Sequence, residues 1–126
     1  MAIALLALAF LPTRGSSAEP TEKGKLTHIG LVWLKNAGNA AERQRLIAAL
    51  HQFAREIPEV RSLSVGRPHS STSKLVDSTF DVCFTMQFDD QAALDRYGKN
   101  PVHQKAAEEA FLPLSRKILF YDFSTE

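Results

Sequence analysis

The chain has 126 residues, 44% of them hydrophobic and 23% charged, with a formal net charge of +1: room for one ordinary globular domain and no second. Its lysines and arginines are scattered, so no basic surface points to nucleic acid. Cys83 is the sole cysteine, which excludes an internal disulfide and leaves no paired spacing for a zinc or redox motif.

Ala2 to Leu11 form a nearly unbroken apolar stretch, too short for a membrane-spanning helix, followed by Pro12 and then Ser16-Ser17-Ala18. This has the shape of a secretory signal peptide over residues 1–18, cleaved after Ala18, although no Lys or Arg precedes it. A periplasmic or secreted protein is the expectation, with a cytoplasmic one as the alternative. No other segment approaches transmembrane length, so stable membrane insertion is not expected. Residues 19–25, with Pro20 and Gly24, read as a flexible linker, and the folded domain spans 26–124.

Thr27 to Lys35 is bulky, apolar and β-favouring, and reads as the first strand. From Asn39 the period changes: Leu46, Ile47, Leu50, Phe53, Ala54 and Ile57 recur at helical spacing, with Asn39 as cap, Glu42 as capping-box partner and Pro58 as stop. Val60 to Gly66 is a second, weaker strand, and a Ser/Thr-rich stretch from Arg67 to Ser78 reads as a mobile loop. Phe80, Val82, Phe84, Met86 and Phe88 alternate strictly with Asp81, Cys83, Thr85 and Gln87, the clearest strand in the chain. Asp89-Asp90 lead into a short helix ending near Tyr97. Asn100-Pro101 opens another helix, which Pro113 kinks or ends, and Lys117 to Phe123 is the last strand.

The order βαββαβ predicts an α+β, ferredoxin-like sheet with helices on one face. The first strand is apolar on both sides, with Ile29, Leu31 and Trp33 on one and Val32 and Leu34 on the other, yet no helices remain for the second face. A homodimer through that sheet face, packed face to face or closed into a barrel, is the economical cover.

His28 opening the first strand, Phe80-Asp81 opening the third, Tyr97 followed by Asn-Pro-Val-His through His103, and the closing Ile-Leu-Phe-Tyr-Asp-Phe resemble the stress-responsive A/B barrel (Dabb) family. The resemblance implies a dimeric α+β barrel. The family includes stress-induced plant proteins and a polyketide cyclase, so it implies a fold more firmly than a reaction.

His103 shares a helical stripe with Ala107, Ala110 and Leu114 and should face the sheet, where the positive helix end would keep its ring neutral. His28 falls beside Gly30, Val32 and Leu34, with Gly30 leaving space next to it. In cyclase relatives, the residues matching Tyr97 and His103 are the catalytic pair and the one matching His28 lines the site. By that resemblance, His103 is a base and Tyr97 an acid or oxyanion partner, with His28, Tyr97 and His103 as ligand-binding residues. This chain departs from the family at Asn100, commonly histidine, and at Val82, where the cyclase has another histidine. The structural alternative has His103 satisfying buried backbone groups, His28 bonded to it or to a strand end, and Tyr97 as a core aromatic.

Asp81 is expected to pair with Arg61 or Arg67. His51 and His69 read as surface residues, and no metal set is expected. The favoured reading is therefore an exported homodimer that binds a small apolar or carbonyl ligand between sheet and helices, without a cofactor. The alternatives are a polyketide-cyclase-like enzyme and a purely structural oligomeric stress protein. A haem protein of the wider superfamily, with His69 or His103 as axial ligand, has no positive sign in the sequence.

Overall fold

The structure, a computed structural model, describes residues 22–126. The signal-peptide segment and the start of the linker lie outside the described residues. Four strands, β1 (Leu26–Leu34), β2 (Ser62–Gly66), β3 (Val82–Phe88) and β4 (Ser115–Ser124), form one antiparallel sheet in the order β2-β3-β1-β4. Helix α1 (Ala40–Glu56) joins β1 to β2, while α2 (Gln91–Lys99) and α3 (Pro101–Ala106) follow β3. A π-helical turn (Ala107–Phe111) and a last turn, α4 (Leu112–Leu114), carry the chain into β4. This is the expected α+β, ferredoxin-like arrangement.

Alternation decides which face is covered. Val32 and Leu34 of β1 and Val82, Phe84, Met86 and Phe88 of β3 are buried, and they share one core with Leu46, Leu50 and Phe53 of α1. Burying each large apolar side chain of that stripe contributes about 1.5–3 kcal/mol. Helix α1 starts where Asn39 Oδ1 accepts the Glu42 N–H at 3.0 Å and ends at Ile57, before Pro58. The reciprocal half of the capping box does not form. Glu42 Oε1 instead accepts from Asn36 Nδ2 at 2.7 Å, and the Asn39 N–H is already donated to the Asn36 carbonyl.

Asp81 takes a different partner from the arginines expected. Its buried carboxylate accepts the backbone N–H groups of Leu34 at 2.8 Å and Gly38 at 2.7 Å, closing the turn that leaves β1. Arg61 pairs with Asp89, whose other oxygen accepts from Lys25 at 2.9 Å. At the opposite end, Gly24 and Lys25 are hydrogen-bonded to Thr125, which extends the β1–β4 pairing by one step.

The outer face of the sheet is only partly bare. Trp33 is buried by its own chain: Thr79 Oγ1 accepts its indole N–H at 2.8 Å, Phe80 meets it edge-on and Lys117 Nζ lies 4.4 Å from the ring centroid. Ile29 and Leu31 are half-buried, while Tyr121 and Phe123 of β4 are 57% and 51% exposed. Among the described residues, no helix is long and apolar enough to cross a membrane.

Candidate functional site

The β1–β4 register sets Asp122 opposite His28 on the helix-covered side of the sheet. Asp122 Oδ1 lies 2.6 Å from His28 Nδ1. His28 therefore bonds to neither His103 nor backbone at a strand end; its partner is a carboxylate on the neighbouring strand. That contact makes Nδ1 the protonated nitrogen and leaves Nε2 as the acceptor of the neutral ring.

Helix α2 presents Tyr97 in its last turn. Asn100 Oδ1 then accepts the Val102 N–H at 2.9 Å and Pro101 occupies the first helical position, so α3 begins at once. Asn100, where the family commonly has histidine, thus serves here as a helix cap. The sharp turn brings His103 back against Tyr97, with ring centroids 4.5 Å apart. His28 approaches the same aromatics from the sheet, 6.3 Å from Tyr97 and stacked on Phe120 at 4.8 Å and 23°.

Between sheet and helices lies a cavity of about 170 Å³ whose wall includes Leu50, Phe53, Phe84 and Phe111, with Tyr97 and His103 as its polar-tipped members. An apolar cavity of about 150 Å³ accepts benzene, so this one is sized for a single ring or a short branched chain. His28 faces a wider groove of about 570 Å³, which it lines with Lys99, Tyr97, His103 and Phe120. Tyr97 and His103 line the cavity, and the groove brings His28 to the same two side chains, with Phe120 shared by both spaces.

Gly30 does leave space, but Phe84 uses it. A Cβ at position 30 would collide with the Phe84 ring, which lies across β1 at that point. The stripe through His103, Ala107, Ala110 and Leu114 is also modified. The π-helical turn donates the Leu112 N–H to the Ala107 carbonyl, and the wider turn holds His103, Ala107 and Phe111 in one line along the cavity. Phe111, four residues beyond Ala107, keeps ordinary helical spacing and joins His103 and Ala107 on the cavity wall.

Burial pushes the Tyr97 phenol well above its ordinary value, so it stays protonated and acts as a donor. Burial also lowers His103, with the Gly98 carbonyl opposing the shift and His28 adding to it. Desolvation, more than the helix end, therefore keeps this ring neutral. His103 Nδ1 is buried with no hydrogen-bond partner among the described residues, while the Gly98 backbone is the hydrogen-bonding group that acts on the ring. A protonated phenol beside a neutral imidazole with a free nitrogen can donate to a ligand oxygen and accept a ligand proton.

His51 and His69 are exposed, and no group of three metal-ligating side chains occurs among the described residues. Haem does not fit the site: a macrocycle far exceeds a cavity of about 170 Å³, and His69 sits on an exposed loop away from it.

A four-stranded ferredoxin-like sheet with helices covering a small aromatic cavity defines the class of protein. Residues 26–125 match the Stress responsive A/B Barrel Domain, called Dabb, and the chain belongs to that family. It is similar to a Dabb family protein with a ferredoxin-like fold from Mesorhizobium loti, at 27% identity over 80% of this chain and 96% of that one, with a TM-score of 0.66. A dimeric ferredoxin-like protein of unknown function from Jannaschia is 26% identical over 79% and 98% of the two chains, with a TM-score of 0.65. The hydroxynitrile lyase from Passiflora edulis shares the fold at 17% identity, covering 83% of this chain and 96% of that one, with a TM-score of 0.73. No curated protein matches the chain.

Proposed function

We propose that this protein binds a small, largely apolar ligand carrying a carbonyl or hydroxyl group in the cavity between sheet and helices. The observation that carries this reading is the unpartnered, buried Nδ1 of His103 beside Tyr97 at the wall of an apolar, benzene-sized space. An unpaired buried polar atom costs about 1–3 kcal/mol, and a ligand that supplies the missing hydrogen bond recovers part of that cost. The test is a thermal-shift screen of small aromatic aldehydes, ketones and phenols on the full chain, repeated with His103→Ala. A stabilising compound whose effect disappears in the variant supports the reading; a screen with no response in the wild-type chain removes it.

A second reading is enzymatic, favoured by the contact of the Tyr97 and His103 rings, centroids 4.5 Å apart, at the cavity wall. His103 would take a proton alpha to a carbonyl while Tyr97 donates to the oxyanion that develops. Solvent deuterium exchange into a bound ketone, lost in both His103→Gln and Tyr97→Phe, separates this reading from binding alone.

The outer sheet face supports a homodimer. Ile29, Leu31, Leu119, Tyr121 and Phe123 group on β1 and β4, while β2 presents Ser62, Ser64 and Gly66. A second copy seated on the apolar half would cover it, and solved relatives from Jannaschia and Thermobifida fusca are described as dimeric. Export is proposed from the amino-terminal pattern alone, and mass spectrometry of the mature protein would show a start at Glu19.

A further inference from the structure

We propose that Phe120 is the gate of this site, a ring that separates the cavity from the His28–Asp122 groove and thereby sets the size of ligand admitted. The proposal rests on the cavity being a ligand site. Position 120 belongs to the helix-covered side of β4, with Ile118 and Asp122. Nearly every large apolar residue on that side is buried or half-buried, yet Phe120 is 51% exposed. Tyr97, His103 and Phe120 line both the cavity and the groove, and of the three only Phe120 is exposed.

Two contacts hold the ring in this position. It stacks on His28 at 4.8 Å and meets Phe84 at 6.4 Å and 67°, both aromatic contacts that hold a ring without locking it. Two features let it leave. The strand that carries it is an edge strand, with no neighbouring strand beyond it among the described residues, and its cross-strand partner on β1 is Gly30, which has no side chain to pin it. Rotation toward solvent would cost contact with two rings while removing the partition between two spaces.

Closed, the gate leaves a cavity of about 170 Å³ that holds one ring near Tyr97 and His103. Open, it joins that space to a groove in which Lys99 is the cationic group and His28 presents a polar ring edge. A ligand long enough to need both spaces would then carry a single apolar ring or chain in the cavity and a polar group toward His28. Phe120 is a specificity-determining residue in this account, since it acts by exclusion.

The test uses phenol and 2-naphthol, which share a hydroxyl and differ by one fused ring, titrated against the full chain and against Phe120→Ala and Phe120→Leu. Wild type should bind phenol and discriminate against 2-naphthol. Phe120→Ala should tighten 2-naphthol binding by about tenfold or more, within the range by which pocket size discriminates ligands, while phenol changes little. Phe120→Leu should fall between. The His28 imidazole resonances should move when 2-naphthol binds Phe120→Ala and remain unchanged when phenol binds wild type. If phenol binds wild type normally but neither variant tightens 2-naphthol, Phe120 is not the gate. If phenol binds neither wild type nor variants, the cavity is no ligand site and the gate falls with it.

Discussion

Gly30, Asp81 and His103 each hold a role that their neighbours dictate. Gly30→Ala places a methyl group against the Phe84 ring, and overpacking of this kind costs about 1–3 kcal/mol. A lowered urea midpoint with an unchanged slope should report it. Asp81→Ala strands the N–H groups of Leu34 and Gly38, which the carboxylate now accepts. Losing two charge-assisted bonds, of which the Leu34 donor is buried and the Gly38 donor exposed, costs about 3 kcal/mol, again read from urea denaturation. For His103, burial lowers the folded pKa below its ordinary 6.5, so the unfolded chain binds the extra proton first as pH falls. The His103 contribution to stability is therefore fully present above about pH 6.5 and is lost progressively as pH drops toward the folded value. His103→Gln should flatten that part of the stability profile between pH 7 and 5, measured by denaturation midpoints. An equal slope in wild type and variant would show that other groups cause it.

Helix boundaries position the site at the level of elements. Asn100 makes the turn between α2 and α3 sharp enough for Tyr97 and His103 to meet, through its bond to the Val102 N–H. Asn100→Ala should cost about 1 kcal/mol and, because it loosens the Tyr97–His103 pair, weaken binding of any cavity ligand. Asn100→Asp, which keeps the cap acceptor, should restore both. The caps and stops of these helices are legible in Asn39, Pro58, Asp90 and Asn100-Pro101, since capping depends on residues a few positions apart. The π-helical turn at Ala107–Phe111 is not legible. It changes the helical period locally, and packing against α1 and the sheet decides where the extra residue goes.

For the whole molecule, the question is what covers the outer sheet face. Trp33, the most prominent aromatic of that face in the sequence, is already covered by Thr79, Phe80 and Lys117 of its own chain. A charge at Trp33 would therefore test folding as much as association. Leu31→Asp and Tyr121→Asp fall on the half-buried and exposed part of the face. If the chain forms the proposed homodimer, both should shift the sedimentation coefficient from dimer to monomer while the far-ultraviolet spectrum is retained; a dimer that persists in both variants would move the interface elsewhere.

The sequence by itself determined the element order and the face of β3 that enters the core, while the pairing of Tyr97 with His103 came from the resemblance to the family. The first two follow from short-range rules: period-two alternation in strands, helical spacing, and capping chemistry at Asn39 and Asn100. Only the tertiary structure decided that Asp122 partners His28, that Asp81 accepts from Leu34 and Gly38 instead of an arginine, and that Phe120 stands between His28 and the cavity. Those contacts join residues far apart in the chain. Asp122 lies among the aromatics of the closing strand, and alternation alone groups it with Ile118 and Phe120. Its meeting with His28 depends on the β1–β4 register, which is set by the packing of both sheet faces at once and has no local signature.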